Sequence, residues 1–220
     1  MSLSAAATAR AMAQRAAAST TTVVLVLGLI GAVGLRRGLA GVENARSVPA
    51  GAVFALLLFA MALAARGYSS TRWAWVGAGD QPAALRVTWA GTVGVAAAAV
   101  LCAAPLMTHL RAPGGALAFG EFPVWAAVVG SVSLAEEAFL RGALWSAVTG
   151  WRRGSGGPWW SLAVTSVAFA LLHVPFYGPQ VLPLDLAVGV LLGGLRQLSG
   201  GVAAPAVAHA VADLAGWWLR

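Results

Sequence analysis

Seven apolar stretches separated by short polar breaks run along the chain, at 16–35, 48–65, 87–106, 122–149, 159–174, 181–195 and 202–219. A helix that crosses a bilayer needs about 20 predominantly apolar residues. The pattern therefore predicts an all-α, polytopic membrane helix bundle of about seven spans. The fifth and sixth are short and flanked by Pro158, Pro175, Pro179 and Pro183. They are expected to tilt or re-enter, which is tolerated where protein or a water-filled cavity satisfies the backbone. The fourth is unusually long and must tilt or protrude. Tryptophans fall at the predicted ends: Trp73 and Trp75, Trp125, Trp151, Trp159 and Trp160, and Trp217 and Trp218. Indole rings favour the headgroup level, so these are read as interfacial anchors.

Composition sharpens this picture. The 220 residues are 60% hydrophobic and 10% charged, with a mean hydropathy of +0.80. Soluble domains carry about 25% charged residues, so a soluble enzyme, a secreted disulfide scaffold and a disordered chain are excluded. No repeat is visible, and one membrane domain over 1–220 is expected, with an Ala-rich N-terminal extension at 1–19. Arg10 and Arg15 ahead of an apolar stretch look like the start of a signal peptide. No convincing cleavage site follows, so a retained first helix is expected. The lone Cys102 reads as a packing residue.

The net charge is +7, with Arg as the only strong base. Most Arg residues lie between apolar stretches, where the positive-inside rule and anionic headgroups account for them. Arg10, Arg15, Arg66, Arg72, Arg86, Arg152, Arg153 and Arg196 fall on the N-terminal side of a seven-span chain. Arg36, Arg37, Arg46, Arg111 and Arg220 fall on the other, which favours a cytoplasmic N-terminus. No Arg-rich face with interleaved aromatics is present, so no nucleic-acid partner is expected. The expected partner on this ground is the lipid bilayer of the cell membrane.

The candidate chemistry lies in the few polar residues inside apolar stretches. Glu136, Glu137 and Arg141 sit near the middle of the fourth. Each charge at the bilayer centre costs about 2.5–3.5 kcal/mol, which makes lipid exposure of all three implausible. Glu137 and Arg141 are i,i+4 and can pair on one face. Glu136 lies about 140° around the helix from Arg141 and needs another partner. Phe169 and His173 in the fifth stretch, and His209 and Asp213 in the seventh, repeat the i,i+4 spacing. Counted from the shared turn, Glu136 and His173 reach matching depth. His209 begins shallow and requires a re-entrant start to join them. Asp185 reads as interfacial, His109 as a solvated loop residue, and Gly189 with Gly193 as a close helix contact.

A carboxylate and an imidazole facing one cavity can hold and deprotonate a water aimed at a carbonyl. A second imidazole can stabilise the oxyanion. Alternatively, Glu136, His173 and His209 can ligate zinc and leave a position open for water. The side chains required are the same, so both readings stand, although no H-E-x-x-H helix is present.

Glu136-Glu137-x-x-x-Arg141, Phe169-x-x-x-His173 and His209-x-x-x-Asp213, in order on successive apolar helices, resemble the three motifs of the CPBP intramembrane protease family. That family includes CAAX prenyl endopeptidases and bacterial proteins associated with bacteriocin immunity. The resemblance covers 122–219. It implies an intramembrane endopeptidase, metallo- or glutamate-type, in which Glu136 activates water with His173. His209 and Asp213 would serve the oxyanion, with Glu137, Arg141 and Phe169 in support. Where one common form of the third motif has Asn, this chain has Asp213, which as a carboxylate cannot donate a hydrogen bond. Asp213 would have to be protonated, orient His209 or bind a metal. Two other classes remain as alternatives: a catalytically idle scaffold or immunity protein, and a small proton-coupled transporter.

Overall fold

The computed structural model describes residues 3–41, 47–68, 73–75, 83–111, 122–152 and 156–217. Among them are seven helices and no strand: α1 (Leu3–Ala40), α2 (Val48–Tyr68), α3 (Ala83–Arg111), α4 (Phe122–Trp151), α5 (Gly157–Tyr177), α6 (Leu182–Ser199) and α7 (Ala203–Ala215). Each predicted stretch has its helix. Five helices are long and apolar enough to cross a membrane, and Ala203–Ala215 is a shorter apolar helix. The chain is a multi-pass membrane protein. Leu56, Leu171, Leu184 and Leu198 point outward from three of the helices, as a lipid-facing surface requires.

Lipid tails are as apolar as leucine, so helix association in a bilayer depends on close packing and buried polar bonds more than on escape from water. The bundle follows that rule. α1 packs on α2, α2 on α4, α5 on α6, and α3 along α7. Gly94 of α3 lies so near α7 that a Cβ there would stand 2.7 Å from the Ala204 carbonyl oxygen. A Cβ at Gly189 of α6 would stand 2.9 Å from Ser166 Cα of α5 and 3.0 Å from its carbonyl oxygen. Backbone atoms cannot step aside, so Gly189→Ala must push α5 and α6 apart. Overpacking of this kind costs about 1–3 kcal/mol. The variant is expected to melt about 2–10 °C below wild type in detergent. Gly194→Ala, which meets nothing within 4 Å, serves as the control. Equal melting temperatures for the three proteins would contradict this packing.

Two departures from a regular bundle place the polar residues. Within α4, Ala138–Leu144 winds as a π-helix, and all seven of its residues are buried. Such widened turns cluster at functional sites, and this one follows Glu137 directly. The second departure is the start of α7. A helix begins with orphan backbone N–H groups. Just ahead of α7, Val202 N–H donates to the Ala74 carbonyl (3.1 Å), and within it Ala203 N–H donates to that of Trp75 (2.8 Å). The preceding turn is made at Gly200 with φ 67°. α7 therefore starts inside the protein, with Val202 and Ala204 fully buried. Its second turn carries His209 to within 3.9 Å of Glu136 Oε2.

The tryptophan reading needs correction. Trp75, Trp151, Trp159 and Trp160 are exposed, but Trp73 and Trp217 are buried. Trp73 packs face-on at Gly142 of the π segment, and Trp217 stacks on Trp125 with centroids 4.8 Å apart. Trp218 lies outside the described residues. His109 falls in the last turn of α3 rather than in a loop.

Candidate active site

Glu137 of α4 is the buried hub. Its Oε1 accepts from Arg141 Nη1 at 2.8 Å and from His209 Nδ1 at 3.0 Å. Arg141 is wholly buried; its Nη2 donates to the Gly189 carbonyl at 3.0 Å, and its guanidinium lies 4.9 Å over the Phe169 ring. The i,i+4 pair predicted from spacing is present, and it ties α4 to α6 and α7. Phe169 also packs edge-on against His209 and tilts against His173, so its ring separates the two imidazoles.

Glu136 points away from that hub, as its angular offset predicts. Its side chain is 2% exposed and lies along a cavity of about 560 Å³. His173, Asp185, Asp213, Tyr177 and Arg36 line the same cavity. His173 Nδ1 stands 2.9 Å from the Phe169 carbonyl oxygen. A carbonyl only accepts, so Nδ1 carries the proton and Nε2 is left as an acceptor. Asp213 Oδ2 accepts from Ser133 Oγ at 2.7 Å and faces His209 Nε2 at 3.3 Å. His209 Nε2 is also 3.9 Å from Glu136 Oε2. Thus Glu136, His173 and Asp213 share the cavity. His209 lies behind Glu136 and Asp213, 4% exposed, and is not part of the cavity wall.

Three residues escaped the sequence reading. Arg36 was assigned to a loop and to topology; it lies on α1 with Nη1 4.0 Å from Glu136 Oε1. Its only sequence signal is its place at the end of a long apolar helix. Asp185 was read as interfacial, yet its Oδ2 stands 3.7 Å from His173 Nδ1 inside the cavity. Asp185 falls in the first turn of α6, two residues after Pro183. Ser133 is fully buried one helical turn before Glu136, a spacing that marks a shared face but no chemistry. Arg196 also leaves the topology count, since its Nε donates to the Arg141 carbonyl at 3.0 Å.

Among the described residues, no three His, Cys, Asp or Glu side chains form a group that could hold a metal ion. Glu136, His173 and His209 do not assemble as a zinc site, because both nitrogens of His209 are turned to Glu137 and Asp213. No step below runs through a metal.

Residues 118–215 match the family described as type II CAAX prenyl endopeptidase Rce1-like. No curated protein and no solved structure matches the chain.

Proposed function

From the match of residues 118–215 to the type II CAAX prenyl endopeptidase Rce1-like family, we propose an endopeptidase in which Glu136 is the general base. Water held between Glu136 and His173 Nε2 loses a proton to the Glu136 carboxylate as its oxygen attacks the scissile carbonyl. The tetrahedral oxyanion then collapses, the C–N bond breaks, and Glu136 returns the proton to the leaving amine. His209, donating to Glu137, is a positioning residue that fixes the wall on which Glu136 and Asp213 stand. Asp213 accepts from Ser133 and orients His209, a role that a carboxylate can fill. The substrate is a segment of a membrane-associated protein or peptide, bound in the cavity of about 560 Å³ that Glu136 and His173 line.

The observation that carries this reading is the sharing of one cavity by Glu136 and a His173 whose proton is tied to the Phe169 carbonyl. A buried carboxylate turned away from the cavity and held by Arg141 and His209, as Glu137 is, serves structure. The test compares the N-termini of membrane proteins from cells expressing wild type or His173→Ala. Peptides generated by the wild type are expected to fall at least about 100-fold in the variant, as loss of a general acid–base partner does. An identical peptide set in both would overturn the assignment.

A further inference from the structure

We propose that Arg36, on α1 and outside residues 118–215, donates to the oxyanion formed at the scissile carbonyl. The proposal rests on the reading of Glu136 as the base. Arg36 is held in a built position: its guanidinium lies 4.8 Å over the Phe54 ring of α2 and 4.6 Å over the Phe176 ring of α5. Its side chain is 11% exposed. A guanidinium offers five N–H donors, yet Arg36 makes no hydrogen bond among the described residues. Its nearest acceptor, Glu136 Oε1, stands at 4.0 Å, beyond hydrogen-bond reach. A half-buried cation with open donors is costly in a bilayer, and this one lines the cavity where the chemistry is proposed.

Apart from Arg36 and His173, the described cavity wall offers only neutral donors, the Ser47 and Tyr177 hydroxyls and the Trp125 indole, so a charged donor to an oxyanion must come from Arg36. Glu136, Asp185 and Asp213 are acceptors, and Asp213 Oδ2 is already engaged by Ser133. The His173 proton is committed to Phe169, and His209 lies behind the wall. Arg36 is the one permanent cation among the described lining residues. Acyl-transfer chemistry requires donors about 2.7–3.1 Å from the developing oxyanion. A carbonyl attacked by water on Glu136 places that oxygen within a few ångströms of the Glu136 carboxylate, where Nη1 already stands. A substrate carboxyl terminus is a poorer fit. The chain advances about 3.3–3.6 Å per residue, so a carboxylate two or more residues past the scissile bond lies too far away.

The test uses the full chain in detergent with a quenched fluorescent farnesylated CAAX peptide, comparing wild type, Glu136→Gln, Arg36→Gln and Arg36→Lys. Removing an oxyanion donor costs about 10²–10³ in kcat. Arg36→Gln is expected to lose that much with KM within about threefold, the signature of an interaction made only in the transition state. Arg36→Lys, which keeps charge without the fork, is expected to fall between the two. Wild-type kcat in Arg36→Gln, or a rise in KM alone, overturns the inference. So does an unchanged kcat with a displaced acidic limb of the pH profile, because Arg36 would then act through Glu136. If Arg36→Gln does not accumulate, Arg36→Lys decides: kcat lowered at least fivefold at constant KM supports the donor role, and unchanged kcat overturns it. Wild type and Glu136→Gln indistinguishable from each other would instead remove the protease reading, and this inference with it.

Discussion

An Arg141→Met protein is expected not to accumulate in folded form. Arg141 is fully buried and, among the described residues, is the one Arg paired with Glu137, at 2.8 Å. It also satisfies the Gly189 carbonyl, at the closest approach of α5 and α6. Breaking a buried ion pair from one side costs about 3–5 kcal/mol, because the remaining charge is stranded. An unsatisfied buried carbonyl adds about 1–3 kcal/mol. Together these approach the whole stability of an ordinary domain, about 5–15 kcal/mol. The double variant Glu137→Gln, Arg141→Met removes the stranded charge and is expected to recover most of the loss. The pair is an imperfect one, since Glu137 Oε2 and Arg141 Nε have no hydrogen-bond partner. A nearly neutral replacement is therefore expected to be tolerated by the fold. Size-exclusion profiles and thermal unfolding in detergent measure both proteins. A monodisperse Arg141→Met with wild-type melting temperature would sink the argument.

That hub was legible in the sequence because its geometry is local. Glu137 and Arg141 are one helical turn apart, and two charges in an apolar background have few alternatives to pairing. The Phe169–His173 and His209–Asp213 pairs were legible for the same reason. The angular separation of Glu136 from Glu137 also followed from helical pitch, and it sends the two carboxylates to different environments.

What stayed hidden depends on contacts between distant parts of the chain. The inward start of α7 is made by the carbonyls of Ala74 and Trp75, more than a hundred residues upstream, so no pattern within 202–219 announces it. The π segment of α4 leaves no periodic mark over seven residues and is buried against Trp73, whose indole had every appearance of a headgroup anchor. Arg36, Asp185 and Ser133 each stand alone in sequence and gain a role only when three helices bring them to Glu136, His173 and Asp213. Arginine is especially easy to misread in a membrane protein. At a helix end the topology rule explains it fully, and only the rings of Phe54 and Phe176 show that Arg36 faces inward.

Glu136→Gln is expected to produce the opposite phenotype from Arg141→Met: a folded protein with almost no activity. The amide keeps the shape of the carboxylate, so the cavity wall is preserved. Among the described residues Glu136 makes no hydrogen bond, only 3.9 Å and 4.0 Å approaches to His209 and Arg36, and little binding is lost with its charge. Removing a charge that is only 2% exposed also relieves its desolvation cost. The melting temperature is accordingly expected to equal or exceed that of wild type, as when a strained active-site charge is neutralised. Activity is expected to fall by about 10³–10⁴, the upper range for a lost general base. Because Glu136 and His173 would act on one water, a Glu136→Gln, His173→Ala double variant should be hardly worse than Glu136→Gln alone. Multiplicative losses would mean that the two residues act on separate steps. A Glu136→Gln protein that is both unstable and partly active would make Glu136 a structural partner of Arg36 and His209, leaving the cavity without its base.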